Sequence, residues 1–104
     1  MLSEQLLKDL TKINSSFNEF SDVDEIIDWF RKNGFYISVI PTPSYAPLNK
    51  VAWSWTFNYN SDGSDWSYTD ESRFIHLTYT NAAIDAITIV VDFYIQTLNI
   101  QENE

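Results

Sequence analysis

The segment from Val51 to Asn60 alternates strictly between large and small side chains, and this alternation constrains the fold more than any other feature of the chain. Its odd positions carry only valine, tryptophan, phenylalanine and tyrosine, whereas its even positions carry only alanine, serine, threonine and asparagine. Successive side chains of a β-strand point to opposite faces, so all of the large groups fall on one face. We therefore predict a central strand that supplies much of the core from that face.

Two amphipathic helices are predicted before this strand. The first has Ser3 as its N-cap and ends near Ser16. Its apolar stripe, at helical spacing, consists of Leu6, Leu10, Ile13, Phe17 and Phe20. The second runs from about Val23 to Asn33, with Ser21 or Asp22 as its N-cap and basic residues in its last turn.

Further strands are predicted on both sides of the central one. Phe35–Ile40 forms the first strand, and three prolines then make the connection to the central strand irregular. The pair Asp62-Gly63 marks a tight turn, after which a third strand returns antiparallel through Trp66, Tyr68 and Asp70. Phe74–Tyr79 also alternates, either as a continuation of the third strand after a bulge or as a separate fourth strand.

A last helix is predicted from Asn81 to about Asn99, capped by Thr80 or Asn81. Its polar stripe consists of Asn81, Asp85, Thr88, Asp92, Gln96 and Asn99. The remaining arc is apolar and wider than one sheet can bury. Either the first two helices pack on its outer side or another chain does, and we predict a symmetric homodimer that uses this helix or a sheet edge. The residues predicted for the oligomer interface are Val90, Phe93 and Tyr94.

Together these elements predict an α+β fold in a single domain, residues 1–104. Two N-terminal helices precede an antiparallel sheet of three or four strands, and the C-terminal helix packs on that sheet. No basic segment followed by an apolar run opens the chain, and the apolar stretch near Ile87–Ile95 is too short to span a bilayer. The cytoplasm is the expected location.

Few residues in the chain could carry chemistry. There is no cysteine, only one histidine (His76) and only two glycines. Asp85 and Asp92 share one helix face, but solvent exposure explains them, and a partial match to a calcium loop from Asn58 lacks the required glutamate at Thr69. We predict no catalytic residue, no cofactor and no metal site, and therefore a protein that is not an enzyme.

The net charge of −9 disfavours nucleic acid and anionic membranes as partners and favours a basic protein. The acidic residues that we predict to bind a partner are Glu19, Asp22, Asp24, Glu25 and Asp28 in a first group, and Asp62, Asp65, Asp70 and Glu71 in a second. Such carboxylates can imitate the phosphates of a nucleic acid in a basic groove. The same residues would also be explained by a solvated helix N-terminus and a polar turn.

The W-x-W strand at Trp53 and Trp55, the polar turn, and the terminal helix that opens N-A-A-I-D-A-I at Asn81 resemble small uncharacterised proteins of phages and bacterial mobile elements. The resemblance covers roughly the last half of the chain. It implies a context, that of a small acidic intracellular protein that often acts by binding a host protein, and no function. We predict a non-enzymatic interaction domain, such as an inhibitor that occupies a basic groove of a nucleic-acid-binding or defence protein. Two alternatives remain: a structural or accessory homo-oligomer, such as a homodimer, and a small-ligand module with an aromatic pocket.

Overall fold

The computed structural model describes residues 2–42, 52–59 and 68–102. Its elements, in chain order, are α1 (Glu4–Ile13), α2 (Val23–Lys32), β1 (Phe35–Pro41), β2 (Trp53–Tyr59), β3 (Tyr68–Glu71) and α3 (Tyr79–Glu102). The predicted α+β architecture is confirmed: two N-terminal helices, an antiparallel sheet, and a C-terminal helix on that sheet. The predicted turn at Asp62-Gly63 lies outside the described residues.

Helix α1 begins where it was predicted and ends about three residues early. The Ser3 hydroxyl accepts a hydrogen bond from the Leu6 amide, as an N-cap does. Asn14 takes an extended conformation and its side chain accepts bonds from the amide and hydroxyl of Ser16, which turns the chain away from the helix. Of the predicted stripe beyond this point, Phe17 is buried, but Phe20 is 87% exposed.

Helix α2 has the boundaries that its sequence signals predicted. The Asp22 carboxylate accepts a hydrogen bond from the Asp24 amide, so Asp22, and not Ser21, is the N-cap. Arg31 and Lys32 lie in the last turn, where positive charge stabilises the helix dipole. Gly34 then adopts a φ of 91°, which a residue with a Cβ atom rarely tolerates, and β1 follows directly.

Within the described residues the sheet has three strands in the order β1-β2-β3, all antiparallel. β2 pairs with β1 along its whole length, and β3 pairs with its C-terminal half. The stretch Phe74–Tyr79 forms neither a separate fourth strand nor a regular continuation of β3. Within it only His76 pairs with the sheet, through an isolated bridge to Trp53. The alternation in β2 has the predicted consequence: Trp55 and Phe57 are buried beneath the helices, whereas Asn58 is exposed.

Helix α3 begins two residues before its predicted start. The Thr78 hydroxyl accepts a hydrogen bond from the Asn81 amide, so Thr78 caps the helix and the predicted caps, Thr80 and Asn81, lie inside it. The helix packs on β1 and β2 with one side, and α1 and α2 pack against another. The first two helices of the same chain therefore cover much of its wide apolar arc, and Val90 is fully buried among them.

Candidate interaction site

An irregular connection, Ser72–Thr78, joins β3 to α3, and we call it the bridge segment. Its first residue still follows the β3 register, because the Ser72 amide donates to the Trp55 carbonyl at 2.8 Å. The same register would pair Trp53 with Phe74, yet Trp53 pairs with His76. The bridge segment thus contains two additional residues, and it bulges away from the sheet at Arg73 and Phe74.

The two-residue bulge directs His76 toward the helix layer. Side chains alternate with period two, so an insertion of two residues leaves His76 on the same face as its partner Trp53. On that face Nε2 of His76 lies 3.0 Å from Oδ2 of Asp85 on α3. Because a carboxylate oxygen accepts hydrogen bonds and does not donate them, this contact requires the proton on Nε2.

The same Asp85 oxygen has a second donor. The indole N–H of Trp55 donates to Oδ2 of Asp85 at 2.8 Å. One carboxylate therefore ties together β2, the bridge segment and α3. The His76 side chain is 20% exposed and the Asp85 side chain 33% exposed, so the network is largely screened from water. A buried indole N–H without an acceptor would destabilise the fold, and Asp85 supplies that acceptor.

Sequence reasoning missed this network. The sequence places Asp85 in a polar stripe that solvent exposure explains, and Asn81, Thr88 and Asp92 of that stripe are exposed. Asp85 differs because its carboxylate lies against the indole of Trp55 and accepts a hydrogen bond from it. The available signal was a tryptophan predicted to be in the core, since a buried indole N–H needs an acceptor from some other element.

A cleft of about 250 Å³ opens beside this network. Its lining comes from β2, β3, the bridge segment and α3, and consists of Trp55, Asp70, Glu71, Arg73, Phe74, Asp85 and Ile89. Two residues of the second predicted acidic group, Asp70 and Glu71, therefore lie at this cleft. The other two, Asp62 and Asp65, lie outside the described residues.

The first acidic group lies at the start of α2 and is exposed throughout. We call it the α2 acidic surface, and it consists of Glu19, Asp22, Asp24, Glu25 and Asp28. Asp28 forms an ion pair with Lys32 at 3.2 Å, one helical turn away. Such an exposed ion pair contributes little to stability, so a cation of a partner can readily replace Lys32. The carboxylates are therefore accessible to a partner.

The α2 acidic surface is fixed to the start of α3 by Tyr79. The Tyr79 hydroxyl donates a hydrogen bond to Oδ1 of Asp24 at 2.6 Å, and its ring packs edge-to-face on Trp53. The hydrogen bond to Asp24, helped by burial and by the negative charge of Asp24, raises the pKa of Tyr79 from 10.0 to about 12. Asp24 is thus held in place from two elements.

The two acidic groups do not merge into one patch. Tyr79 meets the α2 acidic surface, whereas Asp85 lies at the cleft with Asp70 and Glu71. Tyr79 and Asp85 are six residues apart on α3. This separation corresponds to a rise of about 9 Å along the helix axis and places the two side chains about 120° apart around it. Both groups therefore approach the N-terminal turns of α3, but from different sides.

Removing the Asp24 carboxylate is expected to lower the pKa of Tyr79 toward 10. The raised pKa means that the contact stabilises the fold below pH 10 and that this contribution is lost as the pH rises to about 12. The titration of Tyr79 is measured as the difference in tyrosinate absorbance between each protein and the same protein carrying Tyr79→Phe. Asp24→Ala should titrate at lower pH than the wild type, and Asp28→Ala serves as the control. A Tyr79 pKa that is the same with and without Asp24 would contradict this geometry.

Exposed apolar side chains flank the acidic surface and the cleft. Phe20 is 87% exposed and lies two residues before Asp22, the α2 N-cap. In the bridge segment Phe74 is 73% exposed and Leu77, two residues before Tyr79, is 62% exposed. Large exposed apolar groups beside charged ones are a common composition of protein-binding surfaces.

The residues predicted for an oligomer interface lie against the rest of the chain. Val90 has no exposed surface, Phe93 stacks on Tyr68, and Tyr94 contacts Trp29 and other rings. The interface itself stays a prediction, but a charge placed at Val90 would disrupt the core and would report on folding instead of association.

In the described ranges no three His, Asp or Glu side chains come together as metal ligands. Of the helices described there, none combines the length and apolarity that a bilayer crossing requires. No protein-family model, no curated protein and no solved structure matches this chain.

Proposed function

We propose that this chain is a small non-enzymatic interaction domain that binds a basic surface of another protein through the α2 acidic surface. The observation that supports the proposal is the exposure of all five carboxylates at one helix start. Among the described residues, Lys32 is the only cation that forms an ion pair with any of them. The surface is thus negatively charged, and a basic partner would supply the missing cations.

The net charge of −9 extends the effect of this surface beyond direct contact. Opposite charges on two proteins raise the rate of encounter, and this steering falls as salt screens the charges over about 10 Å. A basic partner should therefore bind faster and more tightly at low salt. Acids at a helix start also stabilise the helix dipole, and that explanation alone requires no partner.

Phe20 gives the same surface an apolar anchor. Its side chain is 87% exposed and lies between Glu19 and the α2 N-cap. Aromatic residues are enriched among interface hot spots, and the rim around the buried centre of an interface is polar. We propose that Phe20 is buried by the partner, while the surrounding carboxylates pair with basic side chains.

A basic groove that normally binds nucleic acid is the partner surface that this arrangement fits best. Asp24 and Asp28 lie one turn apart on α2, so they repeat negative charge along one side of a rigid element. Occupation of such a groove by carboxylates would exclude the phosphates of the nucleic acid. We therefore propose inhibition of a nucleic-acid-binding or defence protein as the biological role.

Replacing three of the carboxylates with neutral isosteres is expected to abolish partner binding while the fold survives. The variant Asp24→Asn, Glu25→Gln, Asp28→Asn retains the Asp22 cap, and the amide side chain introduced at position 24 still offers an oxygen to Tyr79. Capture from a lysate should retain a protein on the wild type at low salt and release it at high salt. The variant should retain at least about tenfold less, because several charge pairs are lost together.

The matched control carries the same change of net charge elsewhere: Glu4→Gln, Asp9→Asn, Asp92→Asn. These three acids lie on α1 and α3. If the control loses the partner as fully as the α2 variant, only overall charge matters and the proposed surface is wrong. If the wild type retains no protein at low salt, or both variants retain as much as the wild type, the interaction proposal fails.

The alternative of a small-ligand module with an aromatic pocket has less support. Rings of the sheet and of α3 pack on one another in the core, for example Phe57 and Tyr59 against Phe93. The cleft at Trp55 and Phe74 is about 250 Å³, which is slightly below the range of typical ligand pockets. This cleft would suit one side chain of a partner better than a separate ligand.

A further inference from the structure

Strand β1 is an edge of the sheet, and half of its backbone groups point away from β2. The Thr42 amide donates to the Ala52 carbonyl, so even-numbered residues of this stretch bond to the β2 side. The odd-numbered residues must then point outward, since direction alternates along a strand. Consistent with this, the Ile37 carbonyl faces away from β2 and accepts a long contact, 3.5 Å, from Arg31.

No strand pairs with this outer edge in the part of the chain that the structure describes. The amides and carbonyls of Phe35, Ile37 and Val39 therefore form a row of groups available to another strand. An exposed row of this kind is a template for strand pairing between chains.

The exposed side chains of β1 indicate which strand could pair with its outer edge. On the sheet face opposite the helices, β1 presents Tyr36, Ser38 and Ile40. Tyr36 is 49% exposed and Ile40 is 46% exposed, whereas their neighbours on β2 on this face are serine, threonine and asparagine. Two large apolar groups thus lie at the edge of an otherwise polar face, symmetrically about Ser38.

We propose that two copies of this chain pair through their β1 edges, antiparallel, about a two-fold axis at Ser38. This register places Tyr36 of one protomer opposite Ile40 of its partner, and the two-fold axis repeats this pair on the other side of Ser38. Ile37 and Val39 then exchange backbone hydrogen bonds with the other copy, and the sheet becomes continuous across both protomers. Pairing about Ile37 would instead leave Ile40 without an opposing apolar group, so the Ser38 register is favoured.

Three features keep this association weak. Arg31 has to leave the Ile37 carbonyl, and Pro41 lacks an amide to donate, and both are common protections of an edge strand. Each copy also carries a net charge of −9, so the two copies repel at long range. Salt screens that repulsion, and self-association should therefore strengthen as salt is added. This is the opposite of the salt dependence of the proposed basic partner.

The test is sedimentation equilibrium over a concentration series at low and high salt. The wild type should change from monomer to dimer as concentration rises, more readily at high salt. Tyr36→Lys with Ile40→Lys lowers the net negative charge, yet it places like charges opposite each other and should weaken dimerisation at least about tenfold. Tyr36→Lys with Ile40→Glu places opposite charges across the same axis and should dimerise more strongly than the double-lysine variant.

Each outcome decides the proposal. A wild type that stays monomeric throughout overturns it, and so does a double-lysine variant that dimerises like the wild type. Equal loss in both double variants overturns the Ser38 register. Circular dichroism checks that each variant folds, and Tyr36 and Ile40 are suitable because both are exposed. The α2 variant described above should dimerise at least as well as the wild type, so failure of the edge pairing is separate from failure of the partner proposal.

Discussion

Replacing Phe57 with alanine is expected to lower the free energy of unfolding by about 3–5 kcal/mol. Phe57 is fully buried in the middle of β2, and its ring contacts Trp55, Tyr68 and Phe93. Removing it leaves a cavity and takes away partners from three other rings. A chain of 104 residues is stabilised by roughly 5–15 kcal/mol in total, so the loss would be a large fraction of that amount.

Urea unfolding followed by circular dichroism measures this change. Tyr36→Ala is the matched control, because it removes an aromatic ring from the opposite face of the same sheet, where the ring is 49% exposed. We expect a loss of less than about 1 kcal/mol for the control at protein concentrations where the chain is monomeric. A similar loss in both variants would mean that the sheet does not have one buried face and one solvated face.

Replacing Asp85 with alanine is expected to cost about 2–3 kcal/mol, although the residue lies in the polar stripe of α3. The change leaves the Trp55 indole N–H and the His76 Nε2 without their shared acceptor. The partial exposure of Asp85 allows some rescue by water, which keeps the estimate below that for a fully buried pair. Asp92→Ala, on the exposed part of the same stripe, should cost less than about 0.5 kcal/mol.

A double-mutant cycle separates the Trp55 contact from the rest of this effect. Trp55→Phe removes the indole N–H and retains most of the ring. If the 2.8 Å hydrogen bond contributes to stability, Asp85→Ala should cost about 1 kcal/mol less in the Trp55→Phe background than in the wild type. Fully additive losses would contradict the contact, and the His76 interaction would then have to account for the cost of Asp85→Ala.

Local signals predicted most of the fold because they act within one element. The period-two pattern of β2 identified its buried face, and Trp55 and Phe57 are buried as that pattern requires. Capping signals at Ser3 and Asp22 located the starts of α1 and α2. A strand face and a helix cap depend on neighbours in sequence, so the sequence alone contains the information that specifies them.

The remaining features depend on contacts between elements. The alternation at Phe74–Tyr79 suggested a strand, but His76 bonds to Asp85 of α3 and Thr78 caps that helix. The His76 contact depends on the distance between the bridge segment and α3, which no local pattern gives. The Thr78 cap is a local signal, but the alternating pattern favoured a strand at this position. Phe20 fitted the α1 stripe, yet the helix ends at Ile13 and the ring is exposed. Helical spacing of apolar residues therefore does not predict burial for residues that lie beyond the end of the helix.

The predicted oligomer interface on α3 is another feature that depends on contacts between elements. The wide apolar arc of α3 was compatible with a second chain or with the first two helices, and the sequence did not distinguish them. In the structure α1 and α2 pack against α3, and Val90 is fully buried. Among the residues whose burial the structure describes, the large exposed apolar side chains lie elsewhere, at Phe20, on β1 and in the bridge segment.

Carboxyl footprinting of the captured complex shows whether the partner binds at the start of α2. Amidation of exposed carboxylates, read by mass spectrometry, is compared for the free protein and for the protein bound to the partner that it retains. We expect that Asp24, Glu25 and Asp28 become protected in the complex, while Glu4 and Asp92 react as in the free protein. Equal reactivity of the α2 carboxylates in both states would rule out binding at the α2 acidic surface, because the partner would then bind a different surface.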